Sequence, residues 1–137
     1  MKKEAVIILA EDDEGHARLI IRTLRKAGFD RVILFEDGQS TLDFLFRRGN
    51  GPHRDNETPY LLLLDISMPL VSGIEVLQQV KQDKELQNIP VVMISTTDDT
   101  QNIERCYQLG CSKFITKSIN YKKLIKEISK IGTYCFS

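Results

Sequence analysis

Hydrophobic and polar positions along this chain come in blocks rather than alternating one by one. Ala5-Val6-Ile7-Ile8-Leu9-Ala10 is a continuous apolar run rich in β-branched side chains, which predicts a strand covered on both faces, and it stops at Glu11-Asp12-Asp13-Glu14. Ala17, Leu19, Ile20, Ile21, Leu24 and Ala27 then recur at helical spacing as far as Gly28, the predicted stop. The unit repeats. Arg31–Phe35 predicts a second strand, and Leu42, Leu45 and Phe46 mark a helix ending before Gly49. Gly49–Pro59 is a polar loop, the longest break in the pattern. Leu61–Leu64 predicts a third strand running into Asp65-Ile66-Ser67-Met68-Pro69, with Ile74, Val76, Leu77 and Val80 on the helix that follows. Pro90–Ile94 predicts a fourth strand, ending in Ser95-Thr96-Thr97, and its helix carries Ile103, Cys106, Tyr107 and Leu109 up to Gly110. Lys113–Thr116 is the fifth strand, ending at Lys117, and Leu124, Ile125, Ile128 and Ile131 form the apolar face of the last helix, with Gly132 as its stop. Five strands each followed by a helix predict an α/β fold, a doubly wound, five-stranded parallel sheet with helices on both faces, because right-handed crossovers leave few other arrangements.

In open α/β sheets, functional groups gather beyond the carboxyl ends of the strands. There the sequence places Glu11 and Asp12 after the first strand, Asp65 after the third, Ser95 and Thr96 after the fourth, and Lys117 after the fifth. A single polar residue at a strand end is most often a turn or a helix cap. The whole set is not explained that way, because packing selects apolar residues and four strand ends would have to coincide by chance. Two like charges 4 Å apart repel by about 4 kcal/mol at an effective dielectric near 20, so the converging carboxylates predict a divalent cation. All-oxygen ligation favours Mg²⁺, with Mn²⁺ able to substitute. Metal, ammonium and hydroxyl together suit a phosphoryl group, and Asp65 is the best-placed nucleophile, giving an aspartyl phosphate.

Composition narrows the reading. At 137 residues there is room for one domain, 1–137, with 42% hydrophobic and 28% charged residues. Nineteen basic residues balance nineteen acidic ones, so no global positive field favours nucleic acid or an anionic membrane. No apolar run approaches the roughly 20 residues of a membrane span, and the amino terminus shows no signal-peptide pattern, which predicts a cytoplasmic protein. Cys106, Cys111 and Cys135 lack CxxC spacing and read as free thiols.

At the strand ends the chain resembles the receiver domain of two-component response regulators, a flavodoxin-like (βα)5 fold, over about residues 5 to 131. The acidic pair is Glu11 and Asp12, the phospho-accepting aspartate is Asp65 in Asp65-Ile66-Ser67-Met68-Pro69 with Ser72-Gly73 following, the switch hydroxyl is Ser95, the switch aromatic is Phe114 and the lysine is Lys117. The resemblance implies a phosphoryl group accepted on Asp65 from a histidine kinase or phosphotransfer protein in a Mg²⁺-dependent, self-catalysed reaction. It implies metal ligation by Glu11, Asp12, Asp65 and the carbonyl of Ser67. Ser67 and Thr97 are expected to set how long the phosphoryl group survives, and Thr96 to narrow access for small donors. Output is expected through protein contacts, including a homodimer, on the surface of the fourth helix, fifth strand and fifth helix, with no attached output domain. A closer resemblance, in Glu11–Leu19, the long loop before the third strand and Ile115-Thr116-Lys117-Ser118, is to single-domain regulators paired with bacterial phytochromes. Ser118 departs from the general pattern, in which proline follows the lysine in a cis peptide.

Other classes fit less well. A phosphohydrolase resembling the haloacid dehalogenases would need an aspartate two residues after the nucleophile, where Ser67 stands, and a nucleotide or flavin module would need a glycine-rich first turn in place of Glu11-Asp12-Asp13-Glu14. A receiver-like module that no longer accepts phosphoryl groups is opposed by the complete residue set. His16 and His53 have no partner at ligand spacing and read as solvated, with His16 reserved for partner contact. Lys122, Lys123, Lys126 and Lys130 read as a solvated face. The apolar tail Thr133–Ser137 is expected to dock on the body or on a second subunit.

Overall fold

The computed structural model describes residues 5–96, 99–117 and 120–135. Thr97, Ser118 and the last two residues of the tail, with the expectations attached to them, lie outside the described residues, as do the side chains of Tyr134 and Cys135.

Each of the five apolar runs is a strand: β1 (Val6–Ala10), β2 (Val32–Phe35), β3 (Tyr60–Asp65), β4 (Val91–Ser95) and β5 (Lys113–Thr116). Between and after them lie α1 (Glu14–Lys26), α2 (Gly38–Phe46), α3 (Gly73–Gln82), α4 (Thr100–Leu109), α5 (Tyr121–Ser129) and α6 (Ile131–Cys135). The strands pair in parallel in the order β2-β1-β3-β4-β5. Period-two geometry splits the apolar runs between two cores. Val6, Ile8, Ala10, Leu62, Leu64 and Met93 face Leu42, Leu45, Val76, Leu77, Val80 and Cys106 of α2, α3 and α4. Ile7, Leu9, Leu61, Leu63, Val92 and Ile94 face Ala17, Ile20 and Leu24 of α1 and Leu124 and Ile128 of α5. Continuous rather than alternating hydrophobicity is what a sheet covered on both faces requires.

The structure corrects several details of the sequence reading. On α2 the buried aromatic is Phe44, not Phe46: Phe44 packs 5.4 Å from Phe35 and edge-on to Tyr60, while Phe46 lies at the rim beneath the Arg48 guanidinium. On α5 the buried residues are Leu124 and Ile128, followed by Ile131 at the start of α6, and Ile125 lies about a third of a turn away at the surface. Gly132 does not stop that helix. The stop comes at Lys130, whose backbone N–H reaches the carbonyls of Glu127 and Ile128, and Gly132 lies within the short α6. The polar loop is a bonded unit: Asp55 accepts from the Glu57 and Thr58 backbone, and the Arg54 guanidinium donates to the Leu45 carbonyl at 2.7 Å.

Candidate functional site

Strand register assembles the site. Ala10 pairs with Leu64, so Glu11 and Asp65 leave adjacent strands side by side at the point where the chain order reverses between β1 and β3. Asp65 pairs with Ile94 and Ser95 with Thr116, which brings the β4 hydroxyl and the residue after β5 to the same end. Lys117 is fixed there by its backbone N–H, which donates to the Ser95 carbonyl at 2.6 Å. On the other side of Asp65, the chain doubles back so tightly that a Cβ on Gly73 would stand 2.1 Å from the Asp65 carbonyl oxygen. The Gly73 N–H closes this loop on the Ile66 carbonyl at 2.9 Å. Glycine here is a condition of close approach between α3 and the end of β3.

Oxygens of Glu11, Asp12 and Asp65 lie within 4.8 Å of one another. Glu11 and Asp65 are buried and Asp12 is exposed. The Lys117 ammonium stands 2.5 Å from Glu11 Oε1 and 3.1 Å from Asp65 Oδ2. Asp65 Oδ1 accepts a bond from the Ser67 backbone N–H at 3.3 Å. Burial pushes the Glu11 carboxyl up to about 7, with the neighbouring Asp65 charge acting in the same direction and Lys117 opposing both. Three carboxylates against one ammonium leave two negative charges uncompensated when all are ionised, and Glu11 Oε1 has an ion-pair neighbour but no well-formed hydrogen bond among the described residues. A buried carboxylate oxygen whose ion pair lacks good hydrogen-bond geometry, within an all-oxygen, doubly negative cluster, fits a hard divalent cation.

Other predicted positions fall around this centre. Ser95 is buried at the end of β4, and Ser67 and Thr96 are exposed at the rim. Phe114 is buried in the core beneath α4, and its backbone N–H donates to the Tyr107 hydroxyl at 2.9 Å. That bond occupies a donor of the edge strand that would otherwise lack a ladder partner. His16 departs from the sequence reading. Its Nδ1 lies 3.2 Å from Lys117 Nζ, inside the site rather than out toward a partner. Its place in the first turn of α1, directly after the acidic strand end, is the one sequence signal that pointed there.

A cluster of acid, hydroxyl and lysine at the carboxyl edge of a 2-1-3-4-5 parallel sheet defines a signalling receiver. The chain belongs to the response regulator receiver domain family, whose profile matches residues 7–129. It is 33% identical over 130 residues to the response regulator Rcp1 of Synechocystis, covering 94% of this chain and 87% of that protein. The Mn²⁺-bound form of Rcp1 superposes with a TM-score of 0.84 at 32% identity, covering 97% of this chain and 96% of the other. The receiver domain from Rhodospirillum rubrum gives a TM-score of 0.82 at 38% identity over 95% and 92% of the two chains. The phosphorylated cyanobacterial phytochrome response regulator RcpA gives 0.84 at 32% identity over 98% and 95%. Family membership decides against the phosphohydrolase and nucleotide-binding readings and makes this chain a response regulator of two-component signalling.

Proposed function

We propose that Asp65 is the phosphoacceptor, receiving a phosphoryl group from a sensor histidine kinase or a phosphotransfer protein. The observation that carries this is the position of Asp65: it ends the central strand β3 with one oxygen toward Lys117 and the other on the Ser67 N–H. A carboxylate oxygen of Asp65 attacks phosphorus, the P–N bond of the donor's phosphohistidine breaks, and the electron pair leaves with the imidazole. Lys117 and the Ser95 hydroxyl offset the negative charge of the transferred oxygens. Glu11, Asp12, Asp65 and the Ser67 carbonyl would hold Mg²⁺ or Mn²⁺, which supplies charge neutralisation at the phosphoryl oxygens.

The partner kinase is proposed to be of the phytochrome type, on the likeness to the phytochrome response regulator RcpA along nearly the whole chain. Ser67 and Thr96, exposed at the rim, are proposed to tune phosphoryl lifetime and donor access. Output is proposed to run from Ser95 and Phe114 to the face of α4, β5 and α5, where Tyr107, Tyr121 and Ile125 expose apolar surface to a target or a second copy of the chain. Free buried thiols at Cys106 and Cys111 suit a reducing, cytoplasmic compartment, and no described helix is long and apolar enough to cross a membrane.

The test is intact mass after incubation with acetyl phosphate or a phosphorylated histidine kinase. One phosphoryl adduct that requires Mg²⁺ and is lost in Asp65→Asn is the expected result. No adduct from either donor, on folded protein that binds Mg²⁺, would refute the acceptor role.

A further inference from the structure

His16 is the ionisable side chain in the site that the chemistry above leaves unused. It sits in the first turn of α1 with its backbone N–H held by the Asp13 carboxylate at 2.9 Å, and its side chain is 29% exposed. Among the described residues the Lys117 ammonium makes two hydrogen bonds, one to Asp65 Oδ2 at 3.1 Å and one with His16 Nδ1 at 3.2 Å. Its third neighbour is Glu11, at 2.5 Å. An ammonium has three protons to donate and no lone pair, so Nδ1 must be the acceptor and the ring proton must sit on Nε2.

These three neighbours are not equivalent. Glu11 and Asp65 belong to the acidic cluster that fits a divalent cation, and a cation that neutralises Glu11 weakens the shortest contact of the ammonium. His16 carries a lone pair that the acidic cluster does not include. A cation taken up by the carboxylates does not compete for that lone pair. We propose that His16 is a positioning residue for phosphoryl acceptance, its Nδ1 lone pair holding the Lys117 ammonium beside Asp65. This rests on the reading of Asp65 as acceptor.

Two variants and two readouts test it. His16→Leu removes the lone pair, and His16→Asn returns a short side chain with an acceptor oxygen. With acetyl phosphate and Mg²⁺, His16→Leu is expected to slow phosphoryl incorporation roughly tenfold or more, the effect of one hydrogen bond to a charged group, and His16→Asn to recover most of the rate. A role confined to partner contact would leave both variants at the wild-type rate with this small donor and slow them only with a kinase, which would overturn the proposal. So would equal slowing in both variants. The second readout is the ¹⁵N resonance of the Lys117 ammonium, whose protons are shielded from solvent by burial. It should persist in wild type and His16→Asn and broaden away in His16→Leu. An unchanged resonance in His16→Leu overturns the proposal with Asp65 chemistry intact, whereas a wild type that forms no Asp65-dependent adduct but shows the expected resonance pattern refutes the acceptor reading and retains the contact.

Discussion

Replacing Lys117 by Met tests whether its ammonium is what neutralises the acidic cluster in the absence of metal. The side chains of Glu11, Asp65 and Lys117 are 0%, 6% and 6% exposed, so solvent screens them little. Without the ammonium, Glu11 and Asp65 remain within 4.8 Å of each other, a repulsion of about 3 kcal/mol at an effective dielectric near 20. Removing one member of a buried ion pair costs about 3–5 kcal/mol by general experience, so the two estimates agree in size. The chain has one escape, protonation of Glu11, whose pKa is already pushed up to about 7 by burial and Asp65. A carboxyl raised on folding contributes stability that is fully present below its unfolded value near 4.5 and is lost as pH rises through about 7. Loss of Lys117 moves that pKa higher still. Urea unfolding should therefore show a small deficit for Lys117→Met at pH 5.5 or so and a larger one near pH 8, rising toward about 3 kcal/mol only above the raised Glu11 pKa of the variant. Mg²⁺ should remove most of the deficit at the higher pH and should bind the variant more tightly than wild type, because no ammonium competes for Glu11. A variant as stable as wild type at both pH values, with unchanged Mg²⁺ affinity, would refute the account of Lys117 as the resident counter-charge.

Further outcomes follow from packing and burial. Gly73→Ala should destabilise by about 1–3 kcal/mol in urea unfolding despite the better helix propensity of alanine, because its Cβ meets the Asp65 carbonyl oxygen at 2.1 Å and the backbone must shift; unchanged stability would mean the loop yields freely. Phe44→Ala should cost about 3–5 kcal/mol and Phe46→Ala far less, measured by the same assay, since only Phe44 is buried against Phe35 and Tyr60. Burial pushes the Cys111 thiol up to about 12, with Cys106 adding to the effect, so iodoacetamide should leave it unmodified in folded protein near pH 8 and label it in urea. The sign for stability follows: the neutral buried thiol contributes fully below the unfolded value near 9, and that contribution is lost as pH rises toward 12.

Much of the fold was legible because the three central strands of this sheet, β1, β3 and β4, are covered on both faces. Runs such as Ala5–Ala10 and Leu61–Leu64 carry no polar break, and the residues that end them are therefore conspicuous. The acidic pair, Asp65, Ser95 and Lys117 could be read together for the same reason: each lies at the last position of a strand or within two residues after it, and parallel register makes those positions neighbours. Helix faces were less legible. Phe44 and Phe46 are two residues apart in a nine-residue helix, and which one is buried depends on where Phe35 and Tyr60 stand, not on spacing within α2. Ile125 beside Leu124 posed the same ambiguity, settled by α1 packing on α5.

The contact between His16 and Lys117 was not legible. His16 and Lys117 are 101 residues apart, and the one local cue, the place of His16 in the first turn after the acidic strand end, names no partner for it. They meet because α1 and β5 both abut the carboxyl edge of the sheet, α1 through the capping turn at Asp13 and β5 through the Lys117 N–H bond to Ser95. The cluster's charge balance points the same way. A site with two buried carboxylates, a third exposed at its edge and one buried ammonium is stable only if each buried charge has a partner in every state of occupancy. A cation among the carboxylates would compete with Lys117 for Glu11, and an ammonium held by Glu11 and Asp65 alone would then lose its shortest contact. An acceptor outside the acidic cluster keeps Lys117 in place in both states, and His16 is the acceptor the fold puts there.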